Sequence, residues 1–401
     1  MTDHIIPATT QPADHRAASR DEACMRLALE LAKAGAGRVS PNPLVGCVVT
    51  NAAGEVIGRG AHLKNGEAHA EPNAIRDAEA GGHDVRGGTI YVTLEPHSHV
   101  SRTPPCCDLI IEKQFARCVV AMLDPNPNVS GEGVRRIQAA GVRVEVGLLQ
   151  EEARELARFY VTQITTGRPY VTLKLASSLD GRSALANGAA RWITSPASRA
   201  LVHVMRAEQD AVLVGTRTAY LDDPSLTVRD ADGHTTDDRQ PRRIVLDREL
   251  RLPLTMRLFS DEHCHRTIVV TGAASATSEK ASHLRSVGVE VLASEVTESG
   301  LALEPLLDLL GRRGLTSLLV EAGPTLAGSL VRATLADEIA LFQAPILLGA
   351  DARPIIDAMH VTDLAAADRY ELRSVRRVEP SDDLFVQLRR PASKTGPRSS
   401  Y

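Results

Sequence analysis

At 401 residues the chain has room for two or three domains of roughly 150 residues each. An apolar content of 43% is that of a globular protein, and a net charge of -4 with 3% aromatic residues argues against a nucleic-acid binder, which needs a basic face and rings for stacking. No run of apolar residues is long enough for a membrane span, and cysteines scattered at 24, 47, 106, 107, 118 and 264 form no disulfide framework, so a cytoplasmic protein with reduced thiols is expected.

Met1 to about Ser19 is rich in Thr, Pro, Ala and His, lacks an apolar signal core, and reads as a disordered tail. Asp21 to Gly35 has Leu27, Leu31 and Ala34 at helical spacing, and Pro41-Asn42-Pro43 stops any helix before it. Leu44–Thr50 and Glu55–Gly60 read as a hairpin around Asn51-Ala52-Ala53-Gly54. Then helices and strands alternate: helix Glu71–Ala80, strand Thr89–Leu94, helix Cys106–Lys113, strand Cys118–Met122, helix Val134–Ala140, strand Val142–Val146, helix Glu151–Thr165. Gly167-Arg168-Pro169 marks a boundary.

A second alternating run follows, with strands Tyr170–Leu175, Ala211–Val214, Arg243–Asp247, Thr267–Thr271, Val289–Leu292 and Ser317–Glu321 and a helix over Ser195–Ala207. Asp230 to Pro241 is a polar loop, and Pro391 to Tyr401 a second disordered tail. The expected organisation is a tail (1–19), a first domain (20–166), a second (167–390) and a tail (391–401), both domains of α/β class.

The first chemical constellation lies between residues 69 and 106. His69-Ala70-Glu71 opens a helix, a buried strand follows, then come Glu95-Pro96-His97 and Pro104-Pro105-Cys106. Zinc deaminases hold their metal with one His and two Cys, leave a position for water, and place a carboxylate beside it to carry protons. His69 and Glu71, two apart at a helix start, can face one pocket. Cys106 begins the next helix, where the dipole favours the thiolate that binds metal. A lone His-x-Glu is usually a surface pair and a lone buried Cys usually inert; the ordered combination is far more specific. One letter departs from the pattern: His97 stands where a Cys is expected.

The second half offers no Gly-x-Gly-x-x-Gly fingerprint. The turn Glu321-Ala322-Gly323-Pro324-Thr325 runs from a strand into a helix and can set backbone N–H groups against a pyrophosphate. Taken alone, an ordinary tight turn is the commoner reading.

The stretches SPNPLVGCVV, GAHLKNGEAHAEPNAI, YVTLEPHSHVSRTPPCCDLII and DPNPNVSGEGV resemble the bifunctional deaminase–reductase of riboflavin biosynthesis, and LKLASSLDGR, RWITS, LVGTRTAYLDDPSLTVR and VEAGPTLAGSL resemble its reductase half. The resemblance spans about residues 20 to 390. It implies a cytidine-deaminase-like three-layer domain that hydrolyses the 2-amino group of a diaminopyrimidinone ribosylamino phosphate. It also implies a dihydrofolate-reductase-like domain that reduces the ribosyl group to ribityl with NADPH. By the same resemblance Zn2+ falls on His69, His97 and Cys106, the proton shuttle on Glu71, and the deaminase substrate on Asn42, His62 and Arg102. In the reductase, Lys174 faces the reaction. Ala176, Trp192, Thr218, Asp222, Arg248 and Gly323 fall toward NADPH, and Ala190, Arg206, Leu226, Arg229 and Glu321 toward the substrate. Two arginines suit a ribose phosphate. Trp192 is equally a candidate core anchor, Asp222 a candidate turn residue, and Arg248 a candidate solvated surface side chain.

His97 leaves an alternative: a reductase fused to a deaminase domain that the missing thiolate impairs. Imidazole is a competent zinc ligand, about 0.2–0.3 Å closer to the metal than thiolate but uncharged, so a His/His/Cys site holds a more positive centre. Cys107 is a candidate replacement thiolate, although its position on the helix directs it away from Cys106. The expected partner is a small-molecule substrate, with no nucleic acid and no membrane, in a homo-oligomer. A further alternative is a related pathway that borrows the same pyrimidine intermediates for another pteridine-like product.

Overall fold

The computed structural model describes residues 12–99, 104–127, 129–230, 232–236, 239–298 and 300–391, and forms two compact units, Met1–Val161 and Thr162–Tyr401. Arg102 and the stretch after Pro391 lie outside the described residues.

In the first unit the elements are α1 (Pro12–Ala32), β1 (Gly46–Thr50), β2 (Val56–Ala61), α2 (Ala70–Ala80), β3 (Thr89–Val92), α3 (Cys106–Glu112), β4 (Arg117–Val120), α4 (Glu132–Ala139), β5 (Arg143–Val146) and α5 (Gln150–Leu156). α6 (Arg158–Thr166) follows across the division between units. The sheet order is β2-β1-β3-β4-β5, with β1 antiparallel to β2 and β3 and the rest parallel. Strand side chains alternate between faces. Cys47, Val49, Ile90, Val92, Cys118 and Val120 pack under α2, α3 and α4, through Ala74, Ile75, Ile110 and Ile137 among others. Val48, Tyr91 and Val119 turn the other way, against Met25, Ala28 and Leu29 of α1 and Ala153 of α5. That is the expected three-layer domain.

Two helices differ from the sequence reading by more than a residue or two. α1 reaches back to Pro12, the first described residue, inside the stretch read as a tail. The helix expected over Glu151–Thr165 is interrupted at Ala157, which leaves α5 and α6 as separate elements.

The second unit contains β6 (Tyr170–Ser177), β7 (Arg182–Ala184), α7 (Pro196–Glu208), β8 (Ala211–Gly215), α8 (Thr216–Asp222), β9 (Arg242–Leu246), α9 (Arg257–Ser260) and β10 (Thr267–Gly272). There follow α10 (Ala273–Ala276), α11 (Glu279–Ser286), β11 (Glu290–Ser294), β12 (Val296–Thr297), β13 (Gly300–Leu301), α12 (Leu303–Arg312), β14 (Ser317–Glu321), α13 (Pro324–Arg332), β15 (Glu338–Gln343), β16 (Arg353–Pro354), β17 (Glu371–Arg377) and β18 (Leu384–Arg389). The main sheet runs β11-β10-β9-β8-β14-β6-β15-β18-β17. It is parallel from β11 to β15 and closes with antiparallel β18 and β17. Leu306, Leu310, Leu330 and Val331 of α12 and α13 cover one face, and Ala219, Ala281 and Leu284 of α8 and α11 the other. Continuous Val/Ile/Leu runs such as those of β8 and β14 are what burial on both faces requires.

A buried ion pair ties β6 to β15. Arg168 donates from Nη1 and Nη2 to the Asp337 carboxylate at 2.6 and 2.7 Å, and Asp337 also accepts from the Val171 amide at 2.8 Å. No helix among the described residues is long and apolar enough to cross a membrane.

Candidate active sites

The first site is assembled by two helix starts and one loop. His69 is the N-cap of α2, extended at φ -71° and ψ 174°, and Glu71 lies in that helix's first turn, buried at 3% exposure. Cys106 is the first residue of α3, also buried. His97 enters from the loop after β3. One donor atom from each of His69, His97 and Cys106 lies within 4.8 Å of the others, and Cys106 Sγ stands 3.6 Å from His69 Nδ1. Bonds of about 2.0–2.3 Å in a tetrahedron put ligand atoms roughly 3.3–3.8 Å apart, so this donor set fits zinc with little adjustment.

The electrostatics agree. Burial, helped by the neighbouring imidazoles of His97, His62 and His99, pushes His69 down to about 4, so it is the neutral ligand form at physiological pH. Burial pushes Glu71 up to about 7. Cys106 is raised by burial and by the adjacent Glu71 carboxylate, against the helix-dipole expectation; a short helix does not offset loss of solvent, and it is a cation between the three donors that favours the thiolate. Cys107 is part of the core under α2, with its thiol directed to the Asp108 carboxylate at 3.7 Å, and does not join the donor group.

His62 and Asn42 stand beside the donors. The His62 and His69 ring centroids are 5.2 Å apart, Asn42 Nδ2 is 3.1 Å from His62 Nε2, and His62 Nδ1 is 3.1 Å from the Ala68 carbonyl.

Sequence reasoning quoted Glu95 only as part of a motif. In the structure it is a buried clamp. Its Oε2 accepts from the amides of Asp124 and Gly131 at 3.1 and 2.9 Å, and its Oε1 from Gly133 and Val134 at 3.0 and 3.3 Å. The DPNPNVSGEGV stretch thus wraps one carboxylate two residues from His97. Gly133 is required there, because a Cβ would lie 1.9 Å from the Pro96 carbonyl oxygen. The glycine-bearing segment downstream of Glu95 in the sequence was the available signal.

The second site is a cleft of about 1620 Å³ at the carboxyl ends of β6, β8, β9 and β14, the place where parallel sheets bind ligands. It exceeds the ~300–1,000 Å³ of an ordinary one-ligand pocket and suits a dinucleotide beside a second molecule. Lys174, Ala176, Ala190, Trp192, Arg206, Thr218, Asp222, Leu226, Arg229, Arg248, Glu321 and Gly323 all line it. Gly323 is the N-cap of α13 with Pro324 at the first helical position, and a Cβ there would meet Thr218 Oγ1 at 3.2 Å. The turn that looked ordinary therefore opens a helix N-terminus onto the cleft.

Parallel register sets Glu321 of β14 beside Lys174 of β6. Arg206, on α7, closes on Glu321 through both prongs, Nε to Oε1 at 2.6 Å and Nη2 to Oε2 at 3.0 Å. Burial works to raise Glu321, but Arg206 and Lys174 beside it hold its carboxyl below the ordinary carboxylate range. Burial lowers the Lys174 amine, assisted by Arg206 and opposed by Glu321. The expectation of two equivalent arginines is thereby modified: the Arg206 fork is engaged by a carboxylate, whereas among the described residues the Arg229 side chain reaches hydroxyls, Ser225 Oγ at 3.2 Å and Thr227 Oγ1 at 3.5 Å.

The segment carrying Leu226 and Arg229 is held under strain. Leu226 is buried with φ at 52°, a left-handed conformation that costs about 1–2 kcal/mol for a residue with a Cβ. Arg243, 1% exposed, binds the Ser225 carbonyl at 3.0 Å, and the Gln240 amide pairs with both N–H and C=O of Val228 at 2.7 and 3.2 Å. Trp192 is no core anchor: it is 67% exposed, with the Arg199 guanidinium 4.2 Å from its ring. Asp222 meets Arg191 at 3.5 Å, and Arg248 turns to Glu249 at 2.7 Å.

Comparison with known proteins agrees in both halves. The family model described as RibD C-terminal domain matches residues 169–381, and that of the cytidine and deoxycytidylate deaminase zinc-binding region matches residues 18–122. Riboflavin biosynthesis protein RibD of Escherichia coli (strain K12) is 41% identical over 365 residues, 90% of this chain and 97% of that protein. The Aquifex aeolicus (strain VF5) protein of the same name is 41% identical over 92% of this chain and 98% of its own length. Acinetobacter baumannii RibD (form 1) superposes with a TM-score of 0.82 at 37% identity, covering 93% of this chain and 99% of its own. A Thermotoga maritima diaminohydroxyphosphoribosylaminopyrimidine deaminase/5-amino-6-(5-phosphoribosylamino)uracil reductase superposes with a TM-score of 0.81 at 35% identity, covering 94% and 100%.

Proposed function

The chain belongs to the RibD family of riboflavin biosynthesis proteins, and from that premise we propose how its own residues divide the work between the two domains. It catalyses two consecutive steps: zinc-dependent hydrolytic deamination of the diaminopyrimidinone ribosylamino phosphate, then NADPH-dependent reduction of the ribosyl group to ribityl.

In the deaminase His69, His97 and Cys106 would hold the metal, with His97 serving where the family pattern has Cys. When bound, zinc supplies a Lewis acid that makes water nucleophilic near neutral pH. Glu71, buried beside the three donors, would take a proton from the attacking water and hand it to the leaving amine. His62 and Asn42, hydrogen-bonded to each other, meet the pyrimidine, and Arg102 its phosphate. The observation supporting this reading is the convergence of the three donors beside a buried Glu71. Because the donor set fits, we favour a working deaminase over a reductase with an impaired one.

In the reductase Ala176, Trp192, Thr218, Asp222, Arg248 and the Gly323 helix start, which line the cleft, would hold NADPH, which when bound would supply the hydride. Ala190, Leu226 and Arg229 hold the ribosylaminopyrimidine phosphate, with Arg206 and Glu321 as one oriented pair beside it. Lys174 gives a proton to the ring oxygen released as the ribosyl ring opens. The six unpaired cysteines support a reducing, cytoplasmic setting, and the family resemblance a homo-oligomer, which light scattering of the purified chain measures.

Supplying the diaminopyrimidinone phosphate with NADPH, and following ammonia and NADPH separately, tests the division. Glu71→Gln should abolish ammonia release while oxidation of NADPH with the already deaminated substrate stays at the wild-type rate. Ammonia release that persists in Glu71→Gln overturns the assignment.

A further inference from the structure

Two hydrogen bonds at one atom define the tautomer of His203. Its Nδ1 lies 3.2 Å from the Thr227 carbonyl oxygen and 3.2 Å from the backbone nitrogen of Arg229. A single ring nitrogen serves one of these at a time, as an N–H toward the carbonyl or as a lone pair toward the amide. The Thr227 carbonyl already accepts from Arg206 Nη1 at 2.9 Å. The Arg229 amide has no other acceptor among the described residues. Leaving a half-buried N–H unpaired costs more than leaving a carbonyl with one bond in place of two. Nδ1 is therefore the acceptor, and the proton sits on Nε2.

His203 also lines the cleft, on the helix turn before Arg206. With Nδ1 turned to the Thr227–Arg229 backbone, Nε2 is at the far edge of the ring. Burial, then the cationic Arg206 and Arg229 nearby, lower its pKa, and the Thr227 carbonyl and Glu321 oppose them without reversing the direction, so the ring is neutral near neutral pH and Nδ1 is free to accept from the Arg229 amide. Arg206 is occupied by Glu321, which leaves Arg229 as the cation of this group without a carboxylate partner among the described residues.

We propose that His203, as its neutral Nε2–H tautomer, donates a hydrogen bond to the substrate's phosphate alongside Arg229. This rests on the reading that Arg229 meets that phosphate. The division of labour is a charge from Arg229 and a directed, uncharged donor from His203, while the same ring fixes the Arg229 backbone. A neutral donor suits a cleft that must also keep Lys174 and the Arg206–Glu321 pair in balance.

The test uses the full chain, the already deaminated substrate with and without its phosphate, and NADPH. His203→Asn keeps an acceptor near the Nδ1 position and removes the Nε2 donor; His203→Gln carries an amide N–H out toward the Nε2 position. His203→Asn should raise KM for the phosphorylated substrate by about tenfold or more, the loss of a hydrogen bond to a charged group. KM for the dephosphorylated substrate and for NADPH, and kcat, should stay unchanged, and His203→Gln should recover most of the loss. Wild-type KM in His203→Asn, or equal losses on both substrates, overturns the proposal. Arg229→Ala separates the two levels: an unchanged KM there refutes the phosphate reading of Arg229, whereas a large rise with a silent His203→Asn refutes the His203 donor alone. Nitrogen NMR of histidine-labelled wild-type protein reads the tautomer without any substitution, and a protonated Nδ1 is equally fatal.

Discussion

Glu95→Gln is the sharpest perturbation of the deaminase domain. Each carboxylate oxygen of Glu95 accepts two backbone N–H groups, Asp124 and Gly131 on one and Gly133 and Val134 on the other. The substitution is nearly isosteric, yet whichever way the amide is turned, its NH2 faces two N–H donors. Two charge-assisted bonds vanish, and two backbone amides lose their acceptor. At about 1.5–3 kcal/mol per bond to a charged group, with partial relaxation, the cost is about 3–5 kcal/mol. Hydrogen exchange on the full chain should show lost protection at Asp124, Gly131, Gly133 and Val134, and urea unfolding should show the stability loss. The zinc content should fall, since His97 lies two residues away, while NADPH oxidation with deaminated substrate continues. A stability change under about 1 kcal/mol, with protection intact, refutes the view that this carboxylate organises the segment.

The other expectations concern both domains. His97→Ala should lose zinc on dialysis, whereas His97→Cys should retain it; cobalt-substituted protein should gain thiolate-to-metal charge-transfer absorbance on going from His97 to Cys, since the thiolate count rises from one to two. Asp337→Asn strips the buried Arg168 of its counter-charge and should destabilise the reductase domain by about 3–5 kcal/mol in chemical denaturation. Glu321 titrates below its unfolded value, so its pairing with Arg206 stabilises the fold above the unfolded carboxylate range and is lost as pH falls through the lower folded pKa. Denaturation of wild type between pH 6 and pH 3 should therefore show an acid-side loss that Glu321→Gln diminishes; an identical pH profile in the variant sinks that account.

The spacing of apolar residues determined the alternating α/β order in both halves, and His69-x-Glu71 with Pro105-Cys106 marked two helix starts that carry their own chemistry. Local rules suffice there, because a helix N-terminus fixes its first residues whatever surrounds it. The sequence reading stopped short of β15, β17 and β18. β17 is largely exposed, so it carries no buried run to announce it, and its pairing partner is defined only by the sheet edge already present.

Side-chain partnerships were decided by tertiary structure. Arg206 and Glu321 lie 115 residues apart and meet because β14 lies beside β6 in parallel register under α7. Cys107, adjacent to Cys106, could be excluded from the metal group only once the core under α2 was seen to take it. Trp192 was equally plausible inside or outside until the fold left it exposed. Residue type and spacing determine which chemistry a chain can perform; burial, and the partner that burial brings within reach, decide which residues are available to perform it.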